Sequence, residues 1–202
     1  MNQRIAFFDF DGTITTKDTL LEFIKYSKGK FLFYLGFLLN SPWLIAYKAK
    51  IISNQTAKER ILTFFFKNDR LDDFQRQCDG FASDRIPALV RPRALREIAK
   101  LKEAGFTVVI VSASPENWIR EWAAGLGAEL IATRLATVTK EQHIPALTGK
   151  IDGINCYGEE KVRRIKEAYS LSDHQEIYGY GDTSGDRPML ALAGISFYKP
   201  FR

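Results

Sequence analysis

The chain has 202 residues, 46% of them hydrophobic, and a formal net charge of +5, a length that suits one large domain or a core domain with a smaller one. Its two cysteines, Cys78 and Cys156, and its two histidines, His143 and His174, are widely separated, so neither a zinc site nor a disulfide framework is expected. The modest positive charge suits an anionic partner, whereas the lack of a basic block and of zinc-finger spacing argues against nucleic-acid binding.

The first predicted element is a strand over residues 5–8, because a continuous apolar run is typical of a strand buried on both faces. Asp9 and Asp11 follow it directly, ahead of a Gly-Thr pair. Ligands of open α/β sheets bind at the carboxyl ends of strands, so these carboxylates are candidates for a nucleophile and a proton shuttle. A polar turn that caps a helix is the alternative for this segment taken alone.

An aromatic-rich stretch without strand-like alternation comes next, over residues 17–86. Helices are predicted over 17–28, 30–39, 43–53, 55–67 and 70–85, separated by Gly29, the Asn40-Ser41-Pro42 cluster, Asn54 and the Asn68-Asp69 pair. This block interrupts an α/β pattern between its first two strands. It is therefore expected to form a cap inserted over the active-site edge.

The α/β pattern resumes near Pro92 and continues to the last residues. The sequence predicts helices over 93–104, 116–125 and 159–169, strands over 106–111, 129–138, 176–180 and 195–198, and a short hairpin over 145–152 around Gly149. Strands that alternate with helices predict a doubly wound parallel sheet of the α/β class. The expected domains are a core of residues 1–15 and 88–202 and an all-helical cap of residues 16–87.

Two further segments place polar groups after predicted strands or at a helix start. Ser112 ends the second strand, where its hydroxyl and the following N–H groups can bind a phosphate oxygen, while Ser114 is predicted to cap the next helix. Lys161 lies in the first turn of a helix, an unfavourable place for a cation unless an anion or a carboxylate is close by. A solvated surface lysine is the alternative.

A glycine-rich segment follows the third core strand and carries Asp182 and Asp186, two carboxylates four residues apart. Carboxylate oxygens on a tight loop suit Mg²⁺, which takes one or two carboxylates together with phosphate and water. An ordinary turn into the next helix is the alternative. The predicted strand ends would bring all of these segments to one crevice, as parts of one phosphate-handling site.

The ordered set resembles the haloacid dehalogenase-like (HAD) hydrolase superfamily over the whole chain. Residues 9–13 match its first motif, Ser112 its second, Lys161 its third and the Asp182–Asp186 segment its fourth. The position of the inserted helices resembles the phosphoserine-phosphatase-like branch (subfamily IB) with a helical cap. The resemblance implies a Rossmann-like core and a phosphatase that hydrolyses a phosphomonoester.

By this resemblance, Asp9 attacks phosphorus to form an aspartyl-phosphate, while Asp11 protonates the leaving oxygen and then activates water. Mg²⁺ is expected on Asp9, the Asp11 backbone carbonyl and Asp182, with Asp186 in support. Ser112, Lys161 and Thr13 are expected to bind the phosphoryl group. Such transfer depends mostly on positioning and charge stabilisation.

Substrate choice is expected to lie in the cap, and a small phosphoserine-like metabolite is favoured. Asp18 occupies the position of the acid that binds the substrate amine in phosphoserine phosphatases, and Arg60 is the candidate for the arginine that binds the carboxylate. A helix cap is the alternative role of Asp18. Arg60 is not fixed by any motif.

Residues 31–47 form an uncharged apolar run, which is short for a membrane span and contains a proline. A buried helical hairpin is one interpretation, and the other is a cap that faces an anionic membrane, with Phe33 and Leu38 in contact and four flanking lysines: Lys28, Lys30, Lys48 and Lys50. Residues 156–162 also resemble HAD phosphatases that act on phosphatidylglycerophosphate, which makes a phospholipid phosphatase the alternative. With no secretory signal visible, a cytoplasmic protein, free or membrane-associated, is expected.

Two other function classes remain open. A phospho-accepting signalling module similar to a receiver domain also uses acids, Ser/Thr and Lys on a parallel sheet, but it needs neither Asp11 nor a cap. A phosphotransferase would pass the phosphoryl group to a second substrate under a water-excluding cap. The sequence leaves the oligomeric state open.

Overall fold

The computed structural model describes residues 3–139 and 144–202, so His143 lies outside the described residues. The strands are β1 (Gln3–Phe8), β2 (Phe106–Pro115), β3 (Glu129–Thr133), β4 (Leu135–Thr139), β5 (Pro145–Ile151), β6 (His174–Gly181) and β7 (Ile195–Tyr198). The helices are α1 (Thr19–Leu39), α2 (Ser41–Lys48), α3 (Asn54–Phe66), α4 (Leu71–Asp84), α5 (Ile86–Leu89), α6 (Pro92–Glu103), α7 (Glu116–Gly125), α8 (Glu159–Ala168) and α9 (Arg187–Leu190).

A five-stranded parallel sheet forms the core, in the order β3-β2-β1-β6-β7. The central strand β1 is buried on both faces: Ile5 and Phe7 pack into one cluster and Ala6 and Phe8 into the other. This two-sided burial explains the continuous apolar run and confirms the predicted α/β fold. Because every neighbour is parallel, the carboxyl ends of β1, β2 and β6 meet at one edge.

Helices α1 to α5 lie between β1 and β2 in the chain, and Phe23 of α1 lies at the centre of an aromatic cluster. Its ring contacts those of Phe66, Phe74 and Phe81 within this helical block and that of Trp118 from α7. Gly29 interrupts α1 with φ +80°, a conformation that glycine adopts without strain. The predicted break at this residue is therefore correct.

Two predictions about the strands are wrong. The single strand expected over 129–138 is divided at Arg134, and residues 145–152 do not fold on themselves but form β5, which pairs antiparallel with β4. The last β3 partner on β2 is Pro115, which has no N–H to extend the ladder. The chain therefore leaves the sheet after Thr133.

The β4–β5 hairpin packs on the helical block. Thr63 of α3 donates from its hydroxyl to the carbonyl of Gly149 at 3.1 Å, and the N–H of Leu147 donates to the carbonyl of Asp69 at 2.9 Å. Gly149 has φ +76°, and a Cβ there would lie 2.4 Å from the Thr63 Cα. The helices are thus joined by a hairpin from the later part of the chain.

The apolar run 31–47 is divided between the end of α1 and α2, and it is not fully buried. Phe33 and Gly36 are buried, whereas Phe31 and Leu38 are exposed. Phe33 thus belongs to the core and not to a lipid-facing surface, since it lies on the opposite side of the helix from Leu38. Among the described helices, none has the length and hydropathy needed to cross a bilayer.

Candidate active site

Asp9 lies at the carboxyl end of β1, where its N–H donates to the carbonyl of Tyr180 at 2.8 Å. Its side chain is buried and holds two partners. Lys161 Nζ donates to Asp9 Oδ1 at 2.6 Å, and Thr13 Oγ1 lies 2.9 Å from Asp9 Oδ2. Thr13 can reach back because the loop turns at Gly12, which has φ +84°.

Lys161 is the fully buried cation of this site. Its Nζ donates to Asp9 Oδ1, to Asp186 Oδ1 at 2.7 Å and to the carbonyl of Val111 at 2.8 Å. Burial alone would lower the pKa of Lys161, but the charges of Asp9 and Asp186 outweigh it and hold the pKa above its usual value. The three acceptors use all three ammonium protons, so the lysine is fixed in place and charged.

Asp186 accepts hydrogen bonds from this lysine and from its own loop. Its Oδ2 accepts from the N–H groups of Asp182 and Thr183, at 3.1 and 2.9 Å, and from the Thr183 hydroxyl at 2.8 Å. Burial tends to raise the pKa of Asp186, but Lys161 and these donors lower it overall. Both oxygens of Asp186 are therefore satisfied within the protein.

Asp182 faces Asp9 across the Thr13 hydroxyl. Thr13 Oγ1 lies 3.2 Å from Asp182 Oδ1, and the other oxygen of Asp182 accepts from Arg202. A single hydroxyl proton can satisfy only one of the two carboxylates at a time. Burial is the largest cause that raises the pKa of Asp9, to about 7, and it also raises the pKa of Asp182.

The acids fit a divalent cation. One oxygen from each of Asp9, Asp182 and Asp186 lies within 4.8 Å of the others. The fully buried Lys161 pairs with Asp9 and Asp186, and the half-exposed Arg202 pairs with Asp182, so three carboxylates face two cations. Hard oxygen donors with uncompensated negative charge are the donor set that Mg²⁺ prefers, and an incoming phosphate would add further negative charge.

The Asp11 carboxylate does not join this acidic group. Its Oδ1 accepts from Thr19, through the N–H at 2.7 Å and the hydroxyl at 2.6 Å, and the Thr19 hydroxyl accepts from Trp118 Nε1 at 3.1 Å. Ser112 Oγ lies 3.4 Å from Asp11 Oδ2. Asp11 is thus held toward the helical block by Thr19, apart from Lys161.

Ser112 is buried at the predicted place, but Ser114 does not cap a helix. The strand β2 stays extended through Pro115, so α7 begins at Glu116 and has no side-chain cap. The N–H of Ser114 donates instead to Ser112 Oγ at 3.0 Å. This contact fixes the Ser112 hydroxyl beside Asp11.

A cavity of about 300 Å³ separates these groups from the helical block. Its floor includes Asp9, Asp11, Lys161 and Asp186, and its walls carry Asp18 and an apolar set from three helices: Leu20, Leu21, Phe37, Leu44, Tyr47, Ala57 and Ile61. The charged floor and the apolar walls therefore meet in one space.

Asp18 caps α1, as its alternative role predicted, and its role toward a substrate amine stays a prediction. It is the N-cap of α1, where its Oδ1 accepts from the N–H of Leu21 at 3.1 Å, and it also lines the cavity. Its side chain stays accessible from the cavity, but the surrounding walls displace water and raise its pKa to about 6, with the charge of Asp11 adding to the shift.

Arg60 does not reach the cavity. It is exposed on α3, and its guanidinium stacks over the ring of Trp43, 4.1 Å from the centroid. Two residues earlier, Lys58 lies on the opposite face of the helix and lines the cavity, with Nζ 2.5 Å from the carbonyl of Ala113. Burial lowers the pKa of Lys58, while Asp18 and Asp11 counteract the shift.

Sequence analysis missed Lys58, although a signal for it was present. Asn54, Ala57, Lys58 and Ile61 all line the cavity, and their spacing of three, four and seven residues is that of one helix face. Arg60 lies outside this pattern. The helix phase would have selected Lys58 over Arg60.

Comparison with known families decides the assignment. The family model described as haloacid dehalogenase-like hydrolase matches residues 6–191. The chain belongs to this family of enzymes. The resemblance predicted from the motifs is thereby confirmed, and the HAD fold accounts for the sheet order and for the acids at its carboxyl edge.

Individual relatives agree with the family. The protein CicA of Caulobacter vibrioides is 36% identical over 198 residues, covering 96% of this chain and 85% of CicA. A Mycobacterium tuberculosis protein named "Probable phosphatase" is 28% identical over 208 residues, covering 94% of this chain and 66% of that protein.

Solved structures show the same fold. A protein of unknown function from Bordetella pertussis superimposes with a TM-score of 0.80 at 21% identity, covering 97% of this chain and 89% of that one. A substrate-bound phosphoserine phosphatase gives 0.64 at 20% identity, covering 98% and 86%. At these identities the likeness concerns the fold alone.

The first turn of α8, which carries Lys161, is anchored by Glu160. This buried carboxylate accepts from Arg163 at 2.6 Å and from Arg164 at 2.8 Å, and Arg164 also donates to the carbonyls of Ala132 and Ile154. The hydrogen bonds from Arg163 are the largest cause that lowers the pKa of Glu160, to about 2.

We expect Glu160→Gln to lower the free energy of unfolding by about 2 kcal/mol at neutral pH, because charge-assisted hydrogen bonds are lost. The folded-state pKa is depressed, so this contribution is complete above the ordinary pKa of 4.5 and disappears as the pH falls toward 2. Denaturant titrations across this pH window measure it.

The matched control is Glu167→Gln, which removes the exposed partner of Arg163 and should change the stability by less than about 1 kcal/mol. Equal losses in the two variants would contradict the anchoring role of Glu160.

Proposed function

We propose that the protein is a Mg²⁺-dependent phosphatase that hydrolyses a phosphomonoester through an aspartyl-phosphate on Asp9. The observation that carries the proposal is the buried Asp9 carboxylate at the end of β1. One of its oxygens accepts from Lys161, and the other lies beside the Thr13 hydroxyl, which also contacts Asp182. A carboxylate so placed is a nucleophile held beside a fixed cation.

Each residue has a part in the proposed reaction. A carboxylate oxygen of Asp9 bonds to phosphorus while the bond to the leaving oxygen breaks, and Asp11 gives that oxygen its proton. Asp11 then takes a proton from the water that cleaves the acyl phosphate, which returns Asp9 and releases inorganic phosphate. Lys161, Ser112 and Thr13 stabilise the charge on the phosphoryl oxygens.

Mg²⁺ would be held by Asp9, Asp182 and the backbone carbonyl of Asp11. Asp186, whose oxygens already accept from Lys161 and its own loop, would position that lysine. Bound there, Mg²⁺ supplies positive charge that screens the phosphate from the carboxylates.

The helical block of residues 16–87 would serve as the cap of this site. What supports this role is the cavity, whose walls come from α1, α2 and α3 and whose floor comes from the sheet. Such a cover excludes water while phosphorus is transferred. The β4–β5 hairpin would belong to the same cap, since it packs on α3.

The cavity walls support two candidate substrate classes. The Asp18 carboxylate could bind a substrate amine, and the Lys58 ammonium could bind a second anionic group of the same substrate. This pair supports a small phosphoserine-like metabolite. The apolar walls from Leu20, Phe37 and Leu44 support the second candidate, a phospholipid monoester of the phosphatidylglycerophosphate type.

We expect Asp9→Asn to abolish phosphate release, by about a thousandfold or more, because the amide is not a nucleophile. The assay measures phosphate release with Mg²⁺ from phosphoserine, p-nitrophenyl phosphate and phosphatidylglycerophosphate, with circular dichroism to check the fold. Retained turnover would refute the assignment of Asp9.

The same assay on the unaltered chain separates the other function classes. A stable phosphoprotein without phosphate release would favour the signalling module, and transfer of the phosphoryl group to an added alcohol would favour the phosphotransferase.

Asp182→Asn should raise the Mg²⁺ concentration for half-maximal activity by about tenfold or more, because one charged ligand is lost. The exposed Asp72→Asn on α4 removes the same charge elsewhere and should leave the titration unchanged. If both variants titrate like the unaltered protein, Asp182 is not a metal ligand.

Lys58→Met should raise KM by about tenfold for phosphoserine, a loss of about 1.4 kcal/mol, with kcat little changed, because the cation binds ground state and transition state alike. For p-nitrophenyl phosphate, which has no second anionic group, KM should stay the same. Arg60→Met is the matched control and should alter neither. An equal rise in KM for both substrates would show that Lys58 does not recognise the second anionic group.

A further inference from the structure

An exposed apolar face lies on the two helices that form one wall of the cavity. It is defined by seven residues of α1 and α2: Phe31, Tyr34, Leu35, Leu38, Leu39, Trp43 and Ile45. Counted from Phe31, the first five lie at offsets of 0, 3, 4, 7 and 8 residues, which is the spacing of one continuous helix face. Phe31 is 82% exposed and Leu38 70%.

The protein core does not account for this face. Phe33 and Gly36 on the other side of the same helix are already buried against α3, so the end of α1 is apolar all round. The helix α2 contains Trp43, Leu44 and Ile45 and yet has no buried residue. A contiguous exposed apolar surface of this kind marks a binding site for a protein or a membrane.

The charges around the apolar face select between these two partners. Residues 23–58 contain six lysines and no acidic residue. Lys25 and Lys28 pair with Glu22 and Asp69, whereas the exposed Lys30, Lys48 and Lys50 at its ends form no ion pair with any described residue.

An apolar centre with a cationic rim matches the interface of an anionic bilayer, where lysines meet the headgroups. Tyr34 and Trp43 are the residue types that favour the headgroup level. A second copy of this chain, docked through the same face, would place two sets of these lysines in one interface, because both halves of a two-fold interface come from the same surface. Residues 23–58 offer no acidic residue to pair them.

The apolar face is also continuous with the cavity. Phe37 of α1 and Leu44 and Tyr47 of α2 line the cavity, while their neighbours Leu38, Trp43 and Ile45 belong to the exposed face. The helices that would rest on a bilayer are therefore those that wall the cavity.

We propose that the apolar face is a peripheral docking site for an anionic phospholipid bilayer. Phe31, Leu38 and Ile45 enter the acyl boundary, and Lys30, Lys48 and Lys50 contact the headgroups. Docking goes beyond the proposed phosphatase activity, because it needs no turnover.

The test is co-sedimentation of the full chain with vesicles, either of phosphatidylcholine alone or of phosphatidylcholine mixed with phosphatidylglycerol. We expect binding to the mixed vesicles that weakens with salt and little binding to the neutral ones. Lys48→Gln with Lys50→Gln should lower the partition coefficient about 25-fold, since each lysine near an anionic surface contributes about fivefold. Phe31→Glu with Leu38→Glu should abolish binding.

The matched control is Ile195→Glu, which changes an apolar residue that is 48% exposed, begins the edge strand β7 and is not part of the apolar face. It should bind like the unaltered chain. The Asp9→Asn variant should also bind, which separates docking from activity. Circular dichroism and hydrolysis of p-nitrophenyl phosphate check that the Phe31/Leu38 variant is folded.

Three results would overturn the proposal. The first is no binding of the unaltered chain to mixed vesicles. The second is equal binding by the Phe31/Leu38 variant and the Ile195→Glu control. The third is a dimer in sedimentation velocity that the Phe31/Leu38 variant dissociates while vesicle binding is absent, which would make a second copy the occupant. Failure of the phosphatase assay alone would leave docking untouched.

Discussion

The rest of the site depends on one buried ammonium group. Lys161 joins the end of β1 through Asp9, the strand β2 through the Val111 carbonyl and the loop after β6 through Asp186. A charge buried in this way is stable only when its partners are complete. The contacts that stabilise the buried lysine therefore also hold β1, β2 and the loop after β6 together, and they fix the position of the Asp9 carboxylate.

The sheet and the order of its elements could be predicted because they follow from local patterns. The apolar run before Asp9 and the break at Gly29 are signals within a few residues of the chain. The convergence of Asp9, Lys161 and Asp182 could be anticipated as well, because parallel strands bring their carboxyl ends to one edge. The structure brings these residues together, while their chemical roles stay predictions.

What sequence analysis missed depends on contacts between distant segments or on helix phase. The pairing of β4 with β5 is set by where β2 stops being available as a partner, at Pro115, and no local pattern around Arg134 shows it. The choice between Lys58 and Arg60 depends on which face of α3 meets the sheet. The burial of Phe33 beside the exposed Leu38 has the same origin, since composition alone does not assign sides to a helix that is apolar all round.

The hairpin gives the helical block a second connection to the sheet. The chain passes between the block and the sheet at two places: beside Thr15 and Val90, which form a bridge with each other, and beside Arg134 and Asp152, joined by a 2.9 Å hydrogen bond. Two separate connections restrict the placement of a group of helices more than a single connection does. Arg134, far in sequence from the helices, therefore contributes to where the block lies over the cavity.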